Sequence, residues 1–143
     1  MVKEIVAIAS DHAGYEMKSF VQSYLEKNGF QVLDLGPESD SSVDYPDYGH
    51  ALGAALDNGE AEYGVALCGS GIGISIAVNR HKSVRAALCQ NGLMAKLSRK
   101  HNNANVLVLG ARLIGAEVAN DCLNAFFNTE FEGGRHELRV AKI

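Results

Sequence analysis

Residues 63–79, with the sequence YGVALCGSGIGISIAVN, decide the fold class of this chain. The first five form a continuous apolar run, which is typical of a strand buried on both faces of a parallel sheet. Residues 68–73, CGSGIG, form a glycine-rich turn, and the apolar stretch over 74–79 predicts a helix. A strand that passes through such a turn into a helix predicts one half of a βαβ unit.

The same alternation continues on both sides of this segment. Further strands are predicted over 5–9, 31–35, 84–88 and 106–109, and further helices over 17–25, 48–58, 91–97 and 118–126, with a polar loop over 38–47. The pattern predicts an α/β fold, a three-layer α/β/α sandwich with a five-stranded parallel Rossmann-like sheet. Residues 1–143 are expected to form a single domain, with 129–143 as a C-terminal arm for which no compact structure is predicted.

Composition narrows the class of protein. The chain has 143 residues, 47% of them hydrophobic, and a net charge of −4. This composition excludes a disordered chain and argues against a general nucleic-acid or membrane binder, which would normally be basic. The three cysteines form no Cys-x-x-Cys pair, and no targeting or membrane segment stands out. We therefore expect a reducing, cytoplasmic location.

Reactive residue types follow three of the predicted strands. These are Ser10-Asp11-His12, Cys68-Gly69-Ser70 and Gly110-Ala111-Arg112. The carboxyl ends of parallel strands share one edge of the sheet, where ligands bind in open α/β folds. The sequence therefore predicts a site at this edge, in which Asp11 would orient the His12 ring.

The glycine-rich turn favours a small anionic or enediolate ligand. A Walker pattern lacks its lysine, and Ile74 and Ile76 occupy the positions of a third dinucleotide-binding glycine. The amides of residues 69–73 can face developing negative charge at a helix start. The same position predicts a lowered pKa for the Cys68 thiol. A tight turn around a buried cysteine is the structural alternative.

Further candidates lie later in the chain. His101-Asn102 ends a basic helix, where His101 is either an acid/base group or a helix-capping charge. Arg135 and Arg139 are four residues apart, so one helical face could present both to a phosphate, although a solvated tail is the alternative. No spacing of His, Cys and carboxylates predicts a metal site. His50 and His81 have no evident companions and are expected to be exposed, and Cys89 and Cys122 are expected in the core.

Several motifs together match one family. They are SDHAG (10–14), DYP (44–46), CGSGIGIS (68–75), SRKHNNAN (98–105), GAR (110–112) and GGRH (133–136). On these motifs the chain resembles ribose-5-phosphate isomerases of the B type, in the family that also includes galactose-6-phosphate isomerase subunits. The resemblance covers essentially the whole chain. It implies interconversion of ribose 5-phosphate and ribulose 5-phosphate, a step of the pentose phosphate pathway.

The resemblance also implies roles for residues. Cys68 would move a proton between carbons 1 and 2 through an enediolate, because this chain lacks the acid that another branch of the family uses a few residues later. Ser70 would help the proton reach the substrate oxygens, and His101 would open the furanose ring. The implied substrate contacts are Asp11, His12, Tyr45, Gly69, Gly71, Ile72, Gly73, Asn102, Arg112, Arg135 and Arg139. His12 and the guanidinium groups would hold the phosphate. No metal or organic cofactor is implied.

The resemblance further implies a homodimer or homotetramer whose subunits share sites, and the C-terminal arm would reach across the interface. Two other functions remain open from the residues. One is an isomerase of a six-carbon sugar phosphate, such as allose or galactose 6-phosphate. The other is a non-catalytic α/β module that binds an anion. A thiol-redox protein is disfavoured, since Cys68 has no second cysteine nearby.

Overall fold

A computed structural model describes residues 4–143. It contains five strands and six α-helices, with a short 3₁₀ turn at His12–Gly14. The strands are β1 Ile5–Ser10, β2 Gln31–Asp34, β3 Tyr63–Cys68, β4 Ala86–Leu88 and β5 Val106–Gly110. The helices are α1 Tyr15–Lys27, α2 Tyr45–Asp57, α3 Ile72–Val78, α4 Gly92–Asn102, α5 Ala116–Phe127 and α6 Arg135–Val140.

All five strands pair in parallel, in the order β2-β1-β3-β5-β4. The predicted fold class is therefore confirmed. The register sets Cys68 opposite Gly110 and Leu67 opposite Ser10. The carboxyl ends of β1, β3 and β5 consequently meet at one edge, as the sequence predicted. This edge is called the carboxyl edge below, and the opposite one the amino edge.

Each face of the sheet packs against its own group of helices. One apolar core joins the sheet to α1, α4 and α5, with Leu25, Ala95 and Phe126 buried in it. The second core joins the other face to α2 and α3, through Leu52 and Ile74. Successive side chains of a strand point to opposite faces of the sheet, so each strand contributes to both cores. For this reason the strand sequences are continuous apolar runs. No helix among residues 4–143 is long and apolar enough to cross a membrane.

Helix α2 begins three residues earlier than the sequence predicted. The DYP motif was assigned to a loop, but the helix starts at Tyr45 and takes Pro46 into its first turn. Proline fits there, because the amide that it lacks would have no acceptor inside the helix. This extension carries Tyr45 to the carboxyl edge of the sheet.

Strand β4 is shorter than predicted. The amide of Arg85 donates to the side-chain oxygen of Asn105 at 2.8 Å, so a side chain takes the place of a ladder bond at that end. The strand is reduced to three half-buried residues at the edge of the sheet.

The C-terminal segment is more ordered than the sequence indicated. Gly133 and Gly134 have φ values of 69° and 57°, a left-handed conformation that favours glycine. They turn the chain into α6, which packs against α4. His136 is buried in that contact, although no compact structure was predicted for residues 129–143.

Candidate active site

Cys68 is the last residue of β3 and lies at the carboxyl edge. Its Sγ accepts a hydrogen bond from the Gly71 amide at 3.2 Å. The next polar side chain, Ser70, accepts from the Ile72 amide at 3.1 Å. These two amides are thus used inside the turn and do not face a ligand, contrary to expectation. The polar contact at this sulfur is therefore a hydrogen bond inside the turn, and α3, which follows the turn, is a helix of only seven residues.

The turn fits only because neighbouring positions lack side chains. A Cβ on Gly110 would lie 2.5 Å from the Ser70 carbonyl oxygen, and one on Gly73 would lie 2.6 Å from the Tyr45 ring. Gly71 has a φ of 78°, which L side chains rarely adopt. The glycines therefore let the turn rest on the end of β5 and let Tyr45 close over the start of α3.

His12 is oriented by a different group from the one predicted. Asp11 accepts from the Gly14 amide at 3.1 Å and caps the 3₁₀ turn, so it does not hold the imidazole. The ring is fixed by the Val43 amide, which donates to Nδ1 at 3.2 Å. Since Nδ1 accepts, the proton of the neutral ring sits on Nε2. His12 therefore offers an N–H donor toward the site.

Arg112 joins this group from the end of β5. Its amide donates to the Gly69 carbonyl at 2.9 Å, and its side chain crosses Gly69, where a Cβ would lie 3.3 Å from the Arg112 Cδ. The guanidinium is exposed beside the turn. The carboxyl-edge cluster, as we use the term, comprises Asp11, His12, Tyr45, Cys68, Gly69, Ser70, Gly71, Ile72, Gly73 and Arg112.

The remaining predicted site residues form a second group. His101 and Asn102 are the last two residues of α4, and Arg135 and Arg139 are on α6, which packs against it. The His101 ring stacks on the His136 ring, with centroids 4.4 Å apart and planes at 17°. We call these residues, together with Glu132 and His136, the C-terminal cluster.

The two clusters lie at opposite edges of the sheet. Helix α4 follows β4 and precedes β5, so it runs back from the carboxyl edge to the amino edge. Its 11 residues span about 16 Å at 1.5 Å per residue. His101, at its end, is consequently remote from Cys68 within one chain. A single chain does not bring His101 together with Cys68 and Ser70, the other two residues that the resemblance makes catalytic.

The sequence analysis missed Glu132 and His136. Glu132 Oε1 lies 3.6 Å from His136 Nε2, and ligand atoms of these two residues and of His101 all lie within 4.8 Å of one another. The folded chain therefore contains a group of possible metal ligands, although no spacing in the sequence indicates one. No sequence spacing could have shown it, because His101 is some thirty residues upstream and arrives through the packing of α6 on α4.

The prediction that His50 and His81 lack companions is also wrong. His50 Nδ1 lies 2.9 Å from His81 Nε2, and His81 Nδ1 lies 3.0 Å from Asp57 Oδ2. The amide of Ser83 donates to the other Asp57 oxygen, and this bond, together with His81, lowers the pKa of that carboxyl. The network joins α2 to the segment before β4, away from both clusters.

Cys89 and Cys122 are buried in the first core, as predicted. Burial raises the pKa of Cys89 to about 12, with a further contribution from nearby Cys122. Burial also raises the pKa of Cys122 to about 11. Both remain neutral thiols at physiological pH, so neither is a nucleophile there.

One further cavity, of about 370 Å³, opens at the amino edge between Tyr63, Arg99 and Phe127. It is not lined by any of the predicted site residues. Of the predicted site residues, Asn102 lines another cavity, of about 380 Å³, beside Asn79 and Arg85.

Known proteins are similar to this chain over nearly its whole length. Residues 6–143 match the Ribose/Galactose Isomerase family. Ribose-5-phosphate isomerase B of Escherichia coli is 39% identical over 138 residues, covering 96% of this chain and 93% of that protein. D-erythrulose-4-phosphate isomerase of Pectobacterium atrosepticum is 39% identical over 140 residues, covering 96% and 91%. The structure of a ribose 5-phosphate isomerase from Thermotoga maritima is 51% identical, with a TM-score of 0.94 over 97% of this chain and 96% of that one.

The site and the fold thus define an α/β isomerase. The chain belongs to the Ribose/Galactose Isomerase family. The resemblance stated from the motifs is confirmed.

Gly110→Ala tests the contact between the turn and β5. The added methyl would meet the Ser70 backbone at 2.5 Å, so the turn must move and Cys68 loses its alignment. We expect kcat on ribose 5-phosphate to fall by about a hundredfold, as for a small misplacement of catalytic groups. Gly115→Ala is the matched control, since nothing lies within 4 Å of that position. Equal activity of the two variants would contradict the role of the contact.

Proposed function

We propose that this protein interconverts ribose 5-phosphate and ribulose 5-phosphate through an enediolate. The observation that carries the proposal is the placement of Cys68, with its sulfur on the Gly71 amide, in one cluster with His12 and Arg112. The names of the relatives support a sugar-phosphate isomerase. A relative that acts on a four-carbon sugar phosphate makes sugar length a question for experiment.

The proton transfer is assigned to Cys68. Its thiolate removes the proton from carbon 2 of the open-chain aldose and returns it to carbon 1, while the hydroxyl proton of oxygen 2 passes to oxygen 1, so that the carbonyl moves from carbon 1 to carbon 2. Ser70 Oγ accepts from the Ile72 amide, which leaves its own hydrogen free to donate to a substrate oxygen. The route shifts two protons and a double bond within one molecule, and it requires no electron carrier.

The phosphate is assigned to cationic and N–H groups. His12 presents Nε2–H because Nδ1 is engaged by Val43, and Arg112 lies exposed beside the turn. Arg135 and Arg139 of the C-terminal cluster would complete the anion site. Guanidinium groups suit this task because they bind phosphate oxygens in pairs. Because the chain has a net charge of −4, the phosphate is attracted by these nearby groups and not by the overall charge of the protein.

We assign the completion of each site to a second copy of the chain, in a homodimer or a larger homo-oligomer. Apolar side chains surround the short edge strand β4 and remain exposed on the helices beside it. They are Ile72, Ile76, Leu93, Met94 and Leu97, between 38% and 64% exposed. Several large apolar side chains exposed on two helices of one region are typical of an interface. Its position between α3 and α4 supports pairing that brings His101 and Asn102 of one chain to Cys68 of another, where His101 would open the furanose ring.

The activity and the base are tested together with Cys68→Ser. We expect the purified protein, with a chelator present, to form ribulose 5-phosphate from ribose 5-phosphate faster than it isomerises allose or galactose 6-phosphate. The serine variant should bind substrate but lose at least about a hundredfold in kcat, since a positioned general base contributes that much.

Iodoacetamide labelling provides the control for this experiment. Cys89 and Cys122 have raised pKa values, so Cys68 should be labelled first and inactivation should follow that label. Normal turnover by Cys68→Ser, or labelling elsewhere with activity retained, contradicts the assigned base. Tight binding of sugar phosphates without turnover by the unmodified protein would favour an anion-binding module instead.

The shared site is tested by mixing two inactive variants. Cys68→Ser and His101→Asn should each be nearly inactive alone. In mixed dimers one of the two sites receives both native residues, so the purified mixed dimer should have about half of the normal activity. Co-expression with two different affinity tags, followed by purification through both tags, gives the mixed species. No recovery in that fraction would show that Cys68 and His101 do not act across an interface.

The two arginines of α6 are tested by separate alanine variants. Each charge-assisted bond to phosphate contributes about 1.5–3 kcal/mol, so Arg135→Ala and Arg139→Ala should each raise KM about tenfold or more. Lys142→Ala is the matched control, because it removes one exposed positive charge from the same segment. Steady-state kinetics with ribose 5-phosphate measures all three. A KM rise shared by the lysine variant would indicate a general charge effect.

A further inference from the structure

His101, Glu132 and His136 form a convergent group at the junction of α4 and α6. One ligand atom from each lies within 4.8 Å of the other two. The group is held by the backbone as well as by the side chains, because the Glu132 amide donates to the Lys100 carbonyl at 3.1 Å. That bond ties Glu132 to the residue preceding His101. The three residues therefore stay together independently of any ligand.

His136 has a polar atom without a partner. The residue is 6% exposed, and its Nε2 has no hydrogen bond among the described residues. The nearest acceptor is Glu132 Oε1, which at 3.6 Å is too far for a good hydrogen bond. A buried nitrogen normally has a partner, because leaving it unpaired costs about 1–3 kcal/mol. Nε2 of His136 therefore lies within the group of three residues without a hydrogen-bond partner.

We propose that His101, Glu132 and His136 bind a divalent transition-metal ion of the zinc type, and that the bound ion inhibits the isomerase by occupying the ring nitrogen of His101. The inhibitory part rests on the function proposed above for His101, whereas the binding part does not. The ion is an inhibitor in this proposal, and the isomerisation itself proceeds without it.

The ligand set favours zinc over magnesium or calcium. Two imidazoles and one carboxylate suit a borderline metal, whereas hard cations prefer oxygen ligands alone. Zinc–nitrogen bonds of about 2.0–2.1 Å place neighbouring ligand atoms about 3.3 Å apart in a tetrahedron. The ligand atoms must therefore close by about 1.5 Å at most. Glu132, whose side chain is 50% exposed, is free to make most of that adjustment.

Metal binding has a geometric consequence for the two imidazoles. Their planes are at 17° with centroids 4.4 Å apart, so the in-plane lone pairs do not converge while the rings are stacked. One ring must tilt toward the ion, and His101, the less buried of the two, is the one with room to do so. The bound ion thus makes His101 unavailable in two ways. It occupies the ring nitrogen, and it rotates the ring out of the position that the ring holds in the stack.

The test measures zinc binding directly and inhibition separately. Chelator-buffered zinc should bind with one ion per chain, and cobalt should give a spectrum without a sulfur-to-cobalt charge-transfer band. Loss of an outer-shell partner costs about 10–100-fold in metal affinity, so Glu132→Gln, which removes a ligand, should cost at least tenfold. His136→Asn should do the same. Glu130→Gln, exposed and two residues away, is the control and should bind zinc normally.

Cys68 is the competing explanation for any inhibition by zinc, because thiolates bind zinc well. Zinc affinity should be unchanged in Cys68→Ser if the C-terminal cluster is the site. Inhibition, expressed relative to the metal-free activity of each variant, should weaken in Glu132→Gln in step with the loss of affinity. Magnesium at the same concentrations should neither bind nor inhibit.

Each outcome separates the two proposals. No zinc binding, or binding that is insensitive to Glu132→Gln and His136→Asn or lost in Cys68→Ser, overturns the metal site. Binding at the cluster without inhibition of an active isomerase overturns the effect through His101. Binding at the cluster by a protein with no isomerase activity supports the metal site and contradicts the proposed function.

Discussion

The contact between the Cys68 turn and the end of β5 is the constraint on which the carboxyl-edge cluster depends. Parallel pairing sets Cys68 opposite Gly110, and the Ser70 backbone rests where a Cβ at Gly110 would lie. Only glycine permits that approach. Because the turn rests there, the Gly71 amide reaches the Cys68 sulfur and Arg112 follows directly across Gly69. The Cys68 sulfur, its hydrogen-bond donor and a cation are thus positioned by one backbone contact.

The parallel sheet also explains why one chain is incomplete. Each crossover helix must return the chain from the carboxyl edge to the amino edge, so a helix end that precedes a strand is always remote from a strand end. His101 is near the end of α4, so it lies far from the strand ends at the carboxyl edge. Packing of α6 against α4 adds Arg135 and Arg139 to the same remote group. The shared site that we propose would therefore require a second chain, and the exposed apolar side chains on the helices beside β4 would offer a surface for it.

The three cysteines differ in their surroundings, and the surroundings decide which of them can act as a base. Cys89 and Cys122 lie within the apolar core, where burial raises their pKa values to about 12 and 11. Cys68 is also poorly exposed, but its sulfur accepts a backbone N–H. The turn thus gives the Cys68 sulfur a backbone donor at the carboxyl edge, where the other cluster residues lie. The protein thereby keeps one candidate base and two inert thiols.

The sequence by itself determined the parallel sheet, its five strands and the carboxyl-edge cluster, because apolar runs, glycine-rich turns and strand ends are local signals read within a few residues. It did not predict the first turn of α2, because proline and aspartate are common in loops. It also predicted no compact structure for residues 129–143. Only the tertiary structure decided that Val43 orients His12, that His50 meets His81, and that Glu132 and His136 join His101. Those contacts link residues from distant parts of the chain, and their distances depend on how helices pack, which no spacing in the sequence encodes.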